Sequence, residues 1–164
     1  MSFWMKALAG LGGAIAVSST ACAQGVLVQH DVGVHLGIAI AEAALAKCEA
    51  DGVSASVAVV DRAGRLRVFL QGDQAAPHNI ELARRKAYTA LTFGISSGDW
   101  NKRMNDTPDL SAQRQLHDVI GLAGGEPIKL GDDVIGAVGV SGSKKGGDEG
   151  CAMAGIAKAA DLMK

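Results

Sequence analysis

SASVAVVDRAGRLRVFLQGDQAAPHNIELARRKAYTALTFG, residues 54–94, is the stretch whose reading decides the fold. Val57 and Val59, then Leu66, Val68 and Leu70, recur at every second position, the period of strands that bury one face. Between the two runs, Asp61-Arg62-Ala63-Gly64 supplies a turn, in which the aspartate bonds to the backbone ahead of it and the glycine takes the left-handed closing position. Pro77 suits the first turn of a helix, where its missing donor costs nothing. Ile80, Ala83, Ala87, Ala90 and Leu91 then repeat at helical spacing up to a stop at Gly94. A two-stranded ribbon is marginal by itself, so this hairpin must pack on the helix and on further strands.

Upstream, the spacing predicts a helix from about Gln29 to Ala50, with Val32, Leu36, Ala39, Ala43, Ala44 and Ala46 on its apolar face and Asp51-Gly52 ending it. Downstream, Ser96 to Ser111 is polar and is broken by Asp106, Pro108 and Asp109, with short helical turns around Trp100 and Leu110. A second hairpin follows: Glu126–Leu130 and Val134–Val140 flank the tight turn Gly131-Asp132-Asp133. Gly136, Gly139 and Gly142 lack the G-x-G-x-x-G spacing of a dinucleotide site and lie within the strand, where glycine marks a bulge or a close backbone approach. Asp148 is placed to cap a closing helix through Cys151, Ala154, Gly155 and Leu162. The order helix, hairpin, helix, irregular segment, hairpin, helix gives an α+β fold: an antiparallel sheet of four or five strands packed against helices, in a single domain over residues 24–164.

The N-terminus reads differently. Lys6 precedes an apolar run from Ala7 to Val17, then Ser18, Ser19 and Thr20, then Ala21-Cys22-Ala23, the small-x-small pattern of a signal peptide at residues 1–23 cut before Gln24. The run is too short to span a bilayer, and a lipoprotein with acylated Cys22 would want leucine where Ser19 stands. The expected location is periplasmic or secreted, with no stable membrane anchor, and the mature cysteines are Cys48 and Cys151. A formal net charge of −1 argues against a nucleic-acid partner, and 4% aromatic content limits the core to modest size.

The chain has no C-x-x-C and no P-loop lysine, and Ser141 in GVSGS has no base partner in the sequence pattern. Asp132-Asp133 and Asp148-Glu149 fall at a turn and a helix start, where acids are structural, so a conventional hydrolase is disfavoured. His30, His35, His78 and His117 can each serve iron, but none has the paired spacing of a helical zinc site. In Arg84-Arg85-Lys86, three consecutive helical positions spread over a wide arc; Glu81 is placed to pair with Arg85, and Arg84 reads as solvated. Lys86, Tyr88 and Thr89 together offer a cation and two hydroxyls to an acidic ligand; on the competing reading Tyr88 packs and Thr89 bonds back to its own helix.

Four segments, SVAVVDRAGRLRVF, PHNIELARRKAYTALTFG, GLAGGEPIKLGDDVIGAVGVSG and DEGCAMAGI, follow one another in a familiar order. From about Val32 onward the chain resembles the GlcG/HbpS family of haem-binding and haem-degrading proteins, whose domain also forms the C-terminal part of the PduO adenosyltransferase. The resemblance implies a profilin-like sandwich and a homo-oligomer. It also implies that the first and last helices pack on one side of the sheet, which would bring Cys48 and Cys151 together as a disulfide. For function it implies an exported haem- or tetrapyrrole-binding protein that assists haem degradation or sensing; the alternative is a periplasmic interaction module, or one that binds a small acidic metabolite instead of haem. His35 and His78 lead as iron ligands, since each begins a helix and His78 lies in the matching PHNI segment. Leu82 and Phe93 would face the macrocycle, Arg85 or Lys86 its propionates, and Thr89 would serve as an oxygen ligand in place of histidine.

Overall fold

The computed structural model describes residues 25–143 and 146–164; the leader expected at residues 1–23 lies outside the described residues. Four strands, β1 (Ser56–Asp61), β2 (Leu66–Gln71), β3 (Gly125–Leu130) and β4 (Asp133–Ser141), form one sheet in the order β2-β1-β4-β3. All neighbours are antiparallel, and β1 runs against β4 from Ser56 opposite Ser141 to Asp61 opposite Gly136. Helices α1 (Val34–Ala50) and α4 (Asp148–Lys158) lie together on one face, and α2 (Asn79–Phe93) lies on the other. Helix α3 (Ser97–Asp106) and a 3-10 segment, Pro108–Gln115, fill the connection to β3.

The hairpin that decides the fold forms as its residues require. Asp61 accepts hydrogen bonds from the backbone N–H of Ala63 (3.0 Å) and Arg65 (2.9 Å), and Gly64 closes the turn at φ 77°. Strand β1, however, is buried at every position and not on one face alone. Val57 and Val59 join the core under α1 and α4, while Val60 packs with Ala137 against α2. Its place inside the sheet explains this, because both of its faces carry helices.

Helix α1 begins at Val34, later than the spacing predicts. The Asp31 carboxylate accepts from the N–H of Val32 (2.7 Å) and of Arg62 (2.9 Å), which pins this stretch to the first hairpin and keeps it out of the helix. The buried face is Leu36, Gly37, Ile40, Ala41, Ala44 and Cys48, so Ala46, expected on that face, points to solvent. In α2 the small residues Ala83, Ala87 and Ala90 are buried, whereas Ile80 turns outward at 46% exposure. Gly94, at φ 67°, ends α2 as expected. The closing helix departs from expectation at its start: its N-cap is Gly147, and Asp148 does not cap it. Trp100, in the polar connection, is fully buried and stacks on Phe93 with ring centroids 5.0 Å apart, which anchors α3 to α2.

The end of α1 and the first turn of α4 are joined by the Cys48–Cys151 disulfide, with Cα atoms 5.5 Å apart and a sequence separation of 103. A loop of that length makes the bridge worth about 3–5 kcal/mol in the chain-entropy picture. Replacing both cysteines by alanine is therefore expected to lower the denaturant midpoint clearly in equilibrium unfolding monitored by circular dichroism. An unchanged midpoint would contradict this.

Candidate functional site

A cleft of about 430 Å³ opens between the start of α2 and the β4–α4 connection. One wall is a single row of α2: His78 just before the helix, Leu82 one turn on and Lys86 one turn further, at the i, i+4 spacing that stacks side chains on one face. The facing wall is Leu122 and Ala123, which precede β3, and Ser143, Gly146 and Asp148 continue the lining at the β4–α4 connection. His78 is exposed at the mouth, and Leu122 is 46% exposed beside it.

The floor is polar and tied up. Lys86 Nζ donates to the Val140 carbonyl at 2.9 Å and to Asp148 Oδ2 at 2.7 Å, in an ion pair whose side chains are only 4% and 9% exposed. Asp148 Oδ1 accepts from the N–H of Ser143 at 2.8 Å, so the same carboxylate that neutralises Lys86 also fixes the connection forming the cleft's edge. Ser141 Oγ donates to Asn79 Oδ1 at 3.2 Å beside them. A buried pair of this kind needs further hydrogen bonds to each partner, and the Val140 carbonyl and the Ser143 N–H supply them.

The residues singled out from the sequence are not all brought together. Lys86, His78 and Leu82 meet in the cleft. Arg85 points away, donating to Glu81 Oε1 (3.2 Å), the partner its spacing predicts, and to the Val119 carbonyl (2.8 Å). Thr89 is fully buried; its hydroxyl donates to the Arg85 carbonyl (2.9 Å) and accepts from the Ile120 N–H (2.8 Å), which is the bond back to its own helix plus a tie to the segment before β3. His35 is exposed on α1, across the sheet from α2. Phe93 belongs to the cluster around Trp100. Arg84 is not simply solvated: it pairs with Asp118 and, by that hydrogen bond, holds the Asp118 carboxyl below its ordinary range. His30 lies 3.4 Å from Asp133, and His117 3.0 Å from Asp118, both on the surface.

Two further clefts are less suited to a ligand of the expected kind. One of about 550 Å³, beside Asp51, Ser54, Gln74 and Cys151, has neither imidazole nor cation among its described lining. The other, about 380 Å³, lies between Arg62, Gly64 and Tyr88, and the Arg62 guanidinium is already held by Asp133 (2.6 Å) and the Val134 carbonyl (3.0 Å). Among the described residues no group of three or more His, Cys, Asp or Glu side chains is placed to hold a bare metal ion. One imidazole beside an apolar wall would suit instead a metal whose other ligands come from an organic group bound with it.

Sequence reasoning missed Asp148 as the partner of Lys86, and missed Leu122 and Ala123 as the facing wall. Asp148 looks like a helix cap, and nothing local to residue 148 points to a lysine on another helix.

An antiparallel sheet with helices on both faces and a histidine-edged cleft along one of them makes this an α+β domain with room for a small ligand. A family model described as haem-degrading protein, HbpS-like, matches residues 35–157, and the chain belongs to that family. The structure is similar to that of HbpS from Streptomyces reticuli, crystallised as a double mutant, with 32% identity and a TM-score of 0.76 over 88% of this chain and 97% of that one. ORFY of Klebsiella pneumoniae shares the fold at 21% identity and a TM-score of 0.79, over 85% of this chain and 98% of that one. So does PduOC, crystallised as a complex with haem, at 23% identity and a TM-score of 0.69 over 77% and 94%. No curated protein matches.

Proposed function

We propose that this protein binds haem or a related tetrapyrrole in the cleft along α2, with His78 as the iron ligand. The observation that carries the reading is the row His78, Leu82, Lys86 on one wall, facing Leu122 and Ala123. It supplies an imidazole at the mouth, an apolar slot for the ring and an ammonium at the floor. An ammonium has three donors, and Lys86 directs two of them at Val140 and Asp148, which leaves one for a propionate. Because Asp148 already neutralises Lys86, a small acid without an apolar body would find little to hold it, which favours the tetrapyrrole over the acidic metabolite. Support comes from the family's description and from the haem complex of PduOC.

His78 is the one imidazole in the cleft's described lining and would hold the iron, and bound haem would supply the redox chemistry that haem breakdown or sensing needs. Export is part of the same proposal; the Cys48–Cys151 bridge is chemically at home outside the reducing cytosol.

Haemin titration tests the assignment. The parent is expected to develop a Soret band, His78→Ala to bind about tenfold more weakly or with a shifted band, as loss of one ligand worth about 1.4 kcal/mol would give, and His35→Ala to match the parent. No Soret band in the parent removes haem binding, and a His78→Ala titration identical to the parent's removes the ligand assignment.

A further inference from the structure

The stretch Gly124–Glu126 touches the cleft from behind. A Cβ on Gly124 would lie 2.7 Å from Asp148 Cβ and 3.2 Å from Lys86 Nζ, so this backbone is pressed against the ion pair at the cleft floor. Two residues on, Glu126 stands opposite Val138 and thus on the sheet face that α4 covers. There it meets the first turns of two helices. Gly98 in α3 lies against Glu149 of α4, whose Oε2 would be 3.4 Å from an added Cβ, and Ser97 Oγ accepts from the Gly125 N–H at 2.8 Å. Glu126 Oε1 is buried and has no hydrogen-bond partner among the described residues. The charged groups that act on it are Glu149 from α4, Asp99 from α3 and Lys129 on its own strand; the cation that α2 brings to this region, Lys86, is held by Asp148.

We propose that Glu126 is a proton-controlled latch: neutral, it seals the junction of α3, β3 and α4; ionised, it loosens the first turn of α4 and with it the Asp148 side of the cleft. A buried oxygen without a partner is tolerable on a neutral carboxyl and costly on a carboxylate, more so beside two other carboxylates. Burial, then Glu149 and Asp99, push the Glu126 carboxyl up from 4.5 to about 7. The unfolded chain therefore loses this proton first. Stability contributed by the neutral form is complete below about 4.5, declines as pH rises toward about 7, and is gone above it. The response falls in the range that a protein outside the cytosol meets.

The latch itself is independent of any ligand; only its effect on binding rests on the proposed haem cleft. Hydrogen exchange at pH 5.5 and pH 8, corrected for intrinsic rates, reads it directly in the parent and in Glu126→Gln. In the parent, amides of the first turn of α4 are expected to exchange at least about tenfold faster at the higher pH, since even one pKa unit of the shift from 4.5 to about 7 gives that ratio. In Glu126→Gln they are expected to be equally protected at both. Glu149→Gln supplies a second variant, in which the parent's transition should move to lower pH. Identical pH profiles in the parent and Glu126→Gln overturn the latch. Haemin affinity measured alongside should fall at pH 8 in the parent relative to Glu126→Gln. A parent that shows the exchange transition but no Soret band keeps the latch and loses the haem reading.

Discussion

Gly139→Ala is expected to destabilise the protein by more than about 3 kcal/mol, at the upper end of what overpacking costs. A Cβ at this position would lie 2.0 Å from the Ala83 carbonyl oxygen and 2.6 Å from the Ala87 nitrogen. Both are backbone atoms of α2, so no side chain can rotate out of the way, and the helix must lift from β4. Gly125, paired with Gly139 across the sheet, meets the Lys86 carbonyl at the same 2.0 Å, so the two glycines form one flat seat for α2. Lifting α2 also displaces the wall that carries His78, so ligand binding should fall with stability. The comparison is Gly150→Ala, within α4, where nothing lies within 4 Å of an added Cβ. That change is expected to be neutral or to stabilise by about 0.5–1 kcal/mol. Equilibrium denaturation of the two variants checks both, and similar midpoints would contradict the close packing of α2 on the sheet.

The second large effect is expected from Lys86→Met, which leaves the Asp148 carboxylate buried and without its cation. Breaking a buried pair from one side costs about 3–5 kcal/mol, more than the pair itself contributes. Asp148→Asn in the Lys86→Met background removes the stranded charge and is expected to recover part of the loss, because the amide can still accept from the Ser143 N–H. A double variant as unstable as the sum of the single changes would mean that the two side chains do not act as a pair.

The first hairpin, its turn and α2 were legible because their determinants are local: alternation, an aspartate that bonds to the backbone just ahead of it, and a glycine at each stop. The second hairpin was legible for the same reason, and of the two roles the sequence leaves open for its strand glycines, a bulge or a close backbone approach, Gly139 takes the second. What was not legible depends on partners far away in the chain. Burial of both faces of β1 comes from β4 and α2, and the late start of α1 comes from Asp31 binding the first hairpin. The pairing of Cys48 with Cys151 followed from family resemblance, since spacing alone leaves two free thiols as reasonable.

The site divides in the same way. His78, Leu82 and Lys86 form a row that helical spacing alone places on one face. Which of the cationic residues turned toward the ligand was not written in that spacing: Lys86 faces the cleft because Asp148 draws it there, and Arg85 faces outward to Glu81 and Val119.

The location of bound haemin is the most direct measure of the whole account. Haem iron in a paramagnetic state broadens nearby amide resonances, so titrating haemin into isotopically labelled protein maps its position without prior choice of a ligand residue. The expected result is selective loss of signals from His78, Leu82, Leu122, Ala123 and the β4–α4 connection, with α1 around His35 unaffected. Broadening centred on α1, or on the cleft beside the disulfide, would contradict the assignment of the cleft along α2.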